Sequence, residues 1–146
     1  DSIIWVRSGN RISGNDLGDC HVRVWGQNSG GNANGQMVIS GNNFDNILDG
    51  QSEALSIHMD TSNWWSLTVS GNNFIVQSGD PRSVDINGTA ASYSILLIEG
   101  NNFLKGGKAI QYSGSVRMAV DGNVARSTPL GVSAGGNVQV GQNFSF

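Results

Sequence analysis

The stretch ISGNNF at residues 39–44 recurs almost unchanged as VSGNNF at 69–74 and as IEGNNF at 98–103. Aligned on these corners, weaker copies read RISGNDL at 11–17, AVDGNVA at 119–125 and VGQNFSF at 140–146. The asparagines that mark the copies are Asn15, Asn42, Asn72, Asn101, Asn123 and Asn143, and their spacings are 27, 30, 29, 22 and 20 residues. Self-similarity at such a period indicates a repeat architecture in which each copy stacks on its neighbours.

Each interval between corners contains a second run with strand character. These runs are CHVRVWG (20–26), ALSIHMD (54–60), SVDING (83–88), AIQYSG (109–114) and GVSAGG (131–136), so that every corner except the first is preceded by one. They alternate with a period of two residues, which is typical of strands with one buried face. The predicted inward residues are Val22, Val24, Leu55, Ile57, Val84, Ile86, Ile110, Tyr112, Val132 and Ala134.

The corner strands show the same alternation, and a short third run follows each of the strongest corners. The inward residues predicted before the corners are Met37, Ile39, Leu67, Val69, Leu96, Ile98, Met118, Val120, Val138 and Val140, and the third runs are FDNILDG, FIVQSG and FLKGG. A repeat made of strand, turn, strand, corner and short strand predicts an all-β solenoid of stacked parallel strands. We expect residues 1–146 to form a single domain that belongs to a longer chain.

The corner asparagines are predicted to form a structural ladder. A turn between solenoid strands leaves backbone groups pointing inward, and an unpaired buried polar group is costly. An asparagine amide offers two donors and an acceptor on a short arm, so stacked copies can bond to the turn and to each other. Phe44, Phe74, Phe103 and Phe144 are expected to form an aromatic column beside the ladder.

The GNNF corners at this period resemble those of right-handed parallel β-helix proteins of the pectin-lyase-like type. That class includes pectate lyases, polysaccharide epimerases and trimeric bacteriophage tail spikes. The resemblance implies a right-handed parallel β-helix of about five to six coils and polysaccharide as the ligand class. The vicinal aspartate pairs of polygalacturonases and the DPHD motif of alginate epimerases are missing from the chain, so no mechanism is carried over.

The outward positions of the second runs predict a binding surface. One outward column reads Arg23, Ser56, Asp85, Gln111 and Ser133, and the next reads Trp25, His58, Asn87, Ser113 and Gly135. The longest turns follow the same strands and contain Trp64, Trp65 and Tyr93. Aromatic plates beside polar side chains are suited to sugar rings. The predicted ligand-binding residues are therefore Arg23, Trp25, His58, Trp64, Trp65, Asp85, Asn87 and Tyr93.

Signals for catalysis are weaker. Glycoside hydrolysis requires two carboxylates, and a lyase requires a base. Asp60 and Asp85 lie on neighbouring repeats, and His58 is close to both in the sequence pattern, so these three are the catalytic candidates. Glu99 and Asp121 share an outward column on neighbouring repeats and would repel each other unless splayed, protonated or metal-bound. No ligand cluster with the usual spacing predicts a metal, and no motif predicts a cofactor.

Composition limits the partners. The formal net charge is −3 with a pI near 5.1, and the eight Lys and Arg residues do not cluster, which disfavours nucleic acid. No apolar run approaches the roughly 20 residues of a membrane helix, so membrane insertion is not expected. The outward column of the corner strands is unusually apolar and reads Val38, Thr68, Leu97, Ala119 and Gln139. Such a stripe predicts a contact surface, here between the subunits of a homotrimer.

Three functions remain open at this point. The first is a tail-spike or surface-fibre module, on a virion tail or a cell surface, that recognises host polysaccharide. The second is a polysaccharide lyase, hydrolase or epimerase domain, which the weak catalytic signals make the less favoured of these two. The third is a structural or trimerisation module without a ligand.

Overall fold

The computed structural model describes residues 2–6, 11–18, 20–26, 35–47, 53–59, 65–76, 82–88 and 95–146. In these ranges the regular structure is entirely β, and every strand pairs in parallel with its counterpart one repeat away. The strands are β1 (Ser2–Val6), β2 (Arg11–Ser13), β3 (Cys20–Gly26), β4 (Gly35–Ser40), β5 (Asn43–Ile47), β6 (Glu53–Met59), β7 (Trp65–Ser70), β8 (Asn73–Val76), β9 (Arg82–Gly88), β10 (Ile95–Glu99), β11 (Asn102–Leu104), β12 (Lys108–Gly114), β13 (Met118–Asp121), β14 (Val124–Arg126), β15 (Val138–Val140) and β16 (Phe144–Ser145).

The strands form three parallel sheets, and successive repeats of the chain contribute strands to them in the same order. The first sheet is β1-β3-β6-β9-β12, the second is β2-β4-β7-β10-β13-β15, and the third is β5-β8-β11-β14-β16. A chain that returns to the same three parallel sheets at each repeat has an arrangement consistent with a parallel β-helix. The all-β prediction is confirmed for the described residues.

The core is formed by the inward residues of all three sheets. The residues predicted to face inward are buried from Val22 through Ile110 in the second runs and from Met37 through Val138 in the corner strands, whereas the predicted inward residues Tyr112 and Val140 are only partly buried. Register is strict: Ile39 pairs with Val69, which pairs with Ile98, so like residues lie over like residues. Neutral side chains suit this arrangement because identical charges in adjacent strands, about 4.8 Å apart, would repel.

The asparagine ladder is confirmed at all six corners. The backbone N–H and the Nδ2 of Asn15, Asn42, Asn72, Asn101 and Asn123 each donate to Oδ1 of the next ladder asparagine at 2.9–3.1 Å. From Asn42 onward, Nδ2 also donates to a corner-strand carbonyl of the preceding repeat, such as Ile39 for Asn72. The central members are almost fully buried, and their amides use both donors and both acceptor positions.

The glycine before the ladder asparagine supplies the bend at the first five corners. Gly71 has a φ of +62°, and the equivalent glycines lie between +62° and +67°. An L-residue with a Cβ is strained in this left-handed region, whereas glycine is not. The corner therefore needs both residues of the Gly-Asn pair, the first for backbone geometry and the second for backbone hydrogen bonds.

The aromatic column is shorter than predicted. Phe44 stacks on Phe74 with ring centroids 4.6 Å apart, and Phe74 stacks on Phe103 at 5.1 Å. Phe144 lies outside the column and is 46% exposed. The inward position is the second residue after each ladder asparagine, whereas Phe144 follows Asn143 directly. Alternation therefore turns Phe144 outward, and Ala125 continues the column after Phe103.

The two ends of the repeat also differ from the prediction. The first corner does have a preceding strand, because β1 pairs with β3 and places Ile4 beside Val22. The run GVSAGG forms no strand, Val132 is only partly buried and Ala134 is exposed. Ala109 and Ile110 still donate to the carbonyls of Pro129 and Leu130, but Gly131, Gly135 and Gly136 then take positive φ values. Consecutive backbone bends of this kind are incompatible with an extended strand.

Candidate functional site

The predicted outward columns of the first sheet are confirmed in register for their first four members, whereas Ser133 and Gly135, the predicted last members, lie in no strand. Arg23 pairs with Ser56, Ser56 with Asp85, and Asp85 with Gln111. In the neighbouring column Trp25 pairs with His58, His58 with Asn87, and Asn87 with Ser113. We call these two columns, Arg23 to Gln111 and Trp25 to Ser113, the strip.

A chain of polar contacts joins four side chains on and beside the strip. Arg82 Nη1 donates to Asp85 Oδ1 at 3.1 Å, and Asn87 Nδ2 donates to Asp85 Oδ2 at 3.3 Å. His58 Nδ1 then meets Asn87 Oδ1 across adjacent strands. The sequence Arg82–Asp85–Asn87–His58 therefore forms one hydrogen-bonded relay, which we call the relay.

Burial favours a preorganised relay. The Asp85 side chain is 15% exposed and the Arg82 side chain 39% exposed, so the carboxylate is the more deeply buried partner of the pair. A carboxylate that accepts from two donors in a partly buried position holds one orientation. A charged or hydroxylated ligand would thus meet a surface whose donors and acceptors are already arranged.

Arg82 was not predicted, and the reason is a local irregularity. Strict alternation places residues three apart on opposite faces, so Arg82 would face away from Asp85. In the structure the small residues Ala54, Ser83 and Ala109 are fully buried beside the equally buried Leu55, Val84 and Ile110. Two consecutive buried residues reverse the alternation at the start of the strand, and the same offset lets Lys108 Nζ donate to Gln111 Oε1 at 3.0 Å. The recurring small residue before the first large apolar residue was the available signal.

Several predicted site residues lie outside this geometry. Asp60, Trp64 and Tyr93 are outside the described residues, and Trp25 and Trp65 are placed by their backbones alone. Trp25 belongs to the strip by register, whereas Trp65 begins β7 in the second sheet. The aromatic part of the predicted sugar site and the Asp60–Asp85 pair therefore stay predictions.

The Glu99–Asp121 pair is confirmed as a neighbouring pair, but its surroundings indicate a structural role for Asp121. The two residues are directly paired in the second sheet and both are exposed. Asp121 Oδ1 accepts from the backbone N–H of Gly122 at 2.9 Å and of Gln142 at 2.7 Å. The carboxylate thus orders the last corner, where Gln142 stands in place of the corner glycine and has no positive φ.

In the part of the chain that the structure describes, no three histidine, cysteine, aspartate or glutamate side chains come together as ligands for a metal ion. Among the same residues, no helix is long and apolar enough to span a membrane.

No protein-family model, no curated protein and no solved structure matches this chain.

Proposed function

We propose that this chain is a right-handed parallel β-helix module, of about five to six coils, from a phage tail spike or surface fibre that binds host cell-surface polysaccharide. The observation that carries the proposal is the relay, which arranges polar groups across two neighbouring strands on the outward face of the first sheet. Polysaccharides are held by hydrogen bonds to hydroxyl groups along an extended shallow surface, often beside aromatic rings. The strip offers Arg23, His58, Asp85 and Asn87 for these bonds and has Trp25 in register beside them.

The experiment is binding of the purified chain to a broad array of bacterial and host-surface polysaccharides, followed by calorimetry on the best ligand. We expect His58→Ala and Asp85→Ala each to weaken binding about tenfold or more, since removing one hydrogen bond to a charged or well-ordered group costs about 1.5–3 kcal/mol. Arg126→Ala is the matched control, because Arg126 is exposed on the third sheet. An intact fold that binds nothing on the array would contradict the proposal and favour a structural module.

A polysaccharide lyase, hydrolase or epimerase is the second candidate. The observation that favours it is the link between a histidine and an oriented carboxylate, His58 and Asp85, through Asn87. Release of reducing ends or of unsaturated uronate from an acidic polymer, lost in Asp85→Asn and in His58→Ala, would establish it. Binding without product would leave the recognition function.

The proposal includes a homotrimer on a virion tail or at the cell surface. Its basis is the outward column of the second sheet, where Val38, Thr68, Leu97 and Ala119 lie in register and are half-buried. Ile95, which is 43% exposed, borders a depression of about 340 Å³ on the same sheet, lined by Arg117, Ala119, Asn137 and Gln139 among others. An apolar stripe that stays partly exposed on the outer face of a sheet usually marks a contact surface.

Light scattering at micromolar concentration tests the trimer. Leu97→Asp should convert a trimer to a monomer, because it places a charge in the apolar stripe and leaves the core untouched. Arg126→Asp, at an exposed position of the third sheet outside the stripe, is the control and should leave the mass unchanged. A monomer in the unmodified chain would refute this part of the proposal.

A further inference from the structure

The outward face of the second sheet carries charge at its two opposite sides. Arg117, Ala119 and Asp121 point outward, because Met118 and Val120 between them are buried. Arg117 directly precedes β13 and Asp121 is the last residue of that strand, and both are exposed. A strand rises about 3.3 Å per residue, so the backbones of the two residues are about 13 Å apart. The cation and the carboxylate therefore lie at opposite sides of the face, with the apolar stripe between them.

The side of the face where the strands end has an excess of negative charge. Glu99 and Asp121 are paired in adjacent strands, and both are exposed. The Asp121 carboxylate has the two backbone donors described above, whereas the Glu99 side chain has no hydrogen bond or ion pair with any described residue. Like charges directly opposite each other in a sheet are destabilising. A cation from outside the chain would relieve this repulsion.

The side of the face where the strands begin has the complementary character. Arg117 is exposed, and its guanidinium forms no ion pair or hydrogen bond with a described residue. It borders the depression of about 340 Å³ together with Ile95 and Asn137. A guanidinium has five N–H donors in one plane, so it can contact two carboxylates at once. One side of the face thus offers the charge that the other side lacks.

Three-fold symmetry brings these two sides together. A contact in a closed ring of three identical subunits joins two different patches of the same surface. When three second sheets face a common axis that runs along the coils, the strands on these faces circulate in one direction. The side where the strands of one subunit end then lies beside the side where the strands of the next subunit begin. A pure rotation adds no shift along the axis, so Arg117 is level with the partner subunit's Asp121 and about 4.8 Å along the axis from the partner subunit's Glu99.

We propose that Arg117 of each subunit contacts the partner subunit's Glu99 and the partner subunit's Asp121, so that three such charge contacts close the homotrimer around the apolar stripe. This inference rests on the homotrimer proposed above and names the polar contact that sets the order and the level of its subunits. The partner is a second copy of this chain, because the two complementary sides belong to one face. The apolar stripe then lies at the axis, where Leu97 and Ala119 lose their contact with water.

The test reverses the two charges separately and then together. Sedimentation equilibrium over a concentration series measures the concentration at which half of the trimer dissociates. Arg117→Glu and Glu99→Arg should each raise this concentration about tenfold or more, since each places like charges at all three contacts. The double variant restores opposite charges across the subunit boundary and should recover most of the association. Its two sites are too far apart within one chain to compensate each other there, so recovery reports a contact between chains.

The matched control combines Glu99→Arg with Arg126→Glu. This variant has the same net charge as the double reversal, but Arg126 lies exposed on the third sheet, outside the face. It should dissociate as readily as Glu99→Arg alone. Circular dichroism identifies any variant that fails to fold, and Arg117→Gln with Glu99→Gln then takes the place of the reversals. In that neutral pair, the double variant should lose no more association than either single variant.

A trimer that is unchanged by both single reversals would overturn the inference and leave the homotrimer standing. Losses in both single variants without recovery in the double variant would overturn it as well. A dimer that shows both the losses and the recovery would support the charge contact and refute the three-fold arrangement. A monomeric unmodified chain would refute the homotrimer and, with it, this inference.

Discussion

The ladder and the strip are built on the same coils and follow opposite rules. Along the ladder each repeat presents the same residue, from Asn15 to Asn143, and the central copies are buried. Along the strip, neighbouring strands present Arg23, Ser56, Asp85 and Gln111, which differ at every step. Repetition meets a requirement that every coil shares, which is to provide hydrogen-bond partners for the backbone groups at its bend. A site needs different groups at different places, so in a solenoid the irregular column is the better functional candidate.

The largest expected effect on the free energy of unfolding comes from a substitution in the aromatic column, which belongs to the repeated part of the molecule. Phe74→Ala should lower the free energy of unfolding by about 4–5 kcal/mol, since it opens a cavity between the stacked rings of Phe44 and Phe103. Chemical denaturation measures this directly. Phe144→Ala is the matched control and should cost less than about 1 kcal/mol, because Phe144 is turned outward. Equal losses for the two variants would show that the column does not continue as described.

A slightly smaller effect is expected from the ladder itself. Asn72→Ala should cost about 3–4 kcal/mol, because it removes the acceptor of the buried Asn42 N–H and a buried donor to the Ile39 carbonyl. Asn15→Ala, the same change at the exposed end, should cost about 1 kcal/mol, because water replaces the lost partners. A gradient from the centre to the end is the signature of a buried ladder. Equal costs at both positions would contradict it.

The repeated part is also the part that the sequence predicts well. A residue that recurs at each corner reveals the period, the period sets the register, and the register identifies the inward and outward faces. The predictions that were wrong lie where the repeat degenerates: β1, the GVSAGG run and Phe144. A one-residue change in spacing turns Phe144 outward, and glycines with positive φ break the strand predicted for GVSAGG. In both places the residue types alone still resemble those of a strand.

The strip is predicted less completely for a related reason. Register alone found Asp85, Asn87 and His58, because columns follow from the period. It missed Arg82, since the two consecutive buried residues that bring Arg82 beside Asp85 depend on how Ser83 packs near the start of β9. The order of donors and acceptors in the relay is likewise a three-dimensional property, and no single-residue pattern in the sequence encodes it.

The end of the first sheet offers a pH-dependent test. The Tyr112 hydroxyl shares its one hydrogen between the carbonyl oxygens of Gly114 and Val116, which lie 2.9 and 3.0 Å away. Burial raises the pKa of Tyr112 above the ordinary value of 10.0. A raised pKa in the folded state means that the stabilisation is complete below the unfolded pKa and is lost as pH rises through the folded pKa. Tyr112→Phe should therefore cost about 1 kcal/mol at neutral pH and should remove the additional loss of stability above pH 10. Denaturation curves at pH 7 and through the alkaline range check both parts, and an alkaline loss of the same size in Tyr112→Phe would assign it to another group.

The smallest expected effect on stability belongs to the strip, and it decides whether the comparison holds. Asp85→Asn keeps the size of the side chain and removes the charge that Arg82 contacts. Arg82 is substantially exposed, so water and salt screen the pair, and the free energy of unfolding should change by less than about 1 kcal/mol. The measurement is chemical denaturation at low and high salt, with Asn72→Ala alongside as the scaffold reference. A loss of stability as large as that of Asn72→Ala would show that the relay holds the fold together. The relay would then be part of the scaffold and not a recognition surface. A small loss combined with lost polysaccharide binding is what a recognition surface requires, since its side chains are then ordered for contact with a ligand and not for holding the coils together.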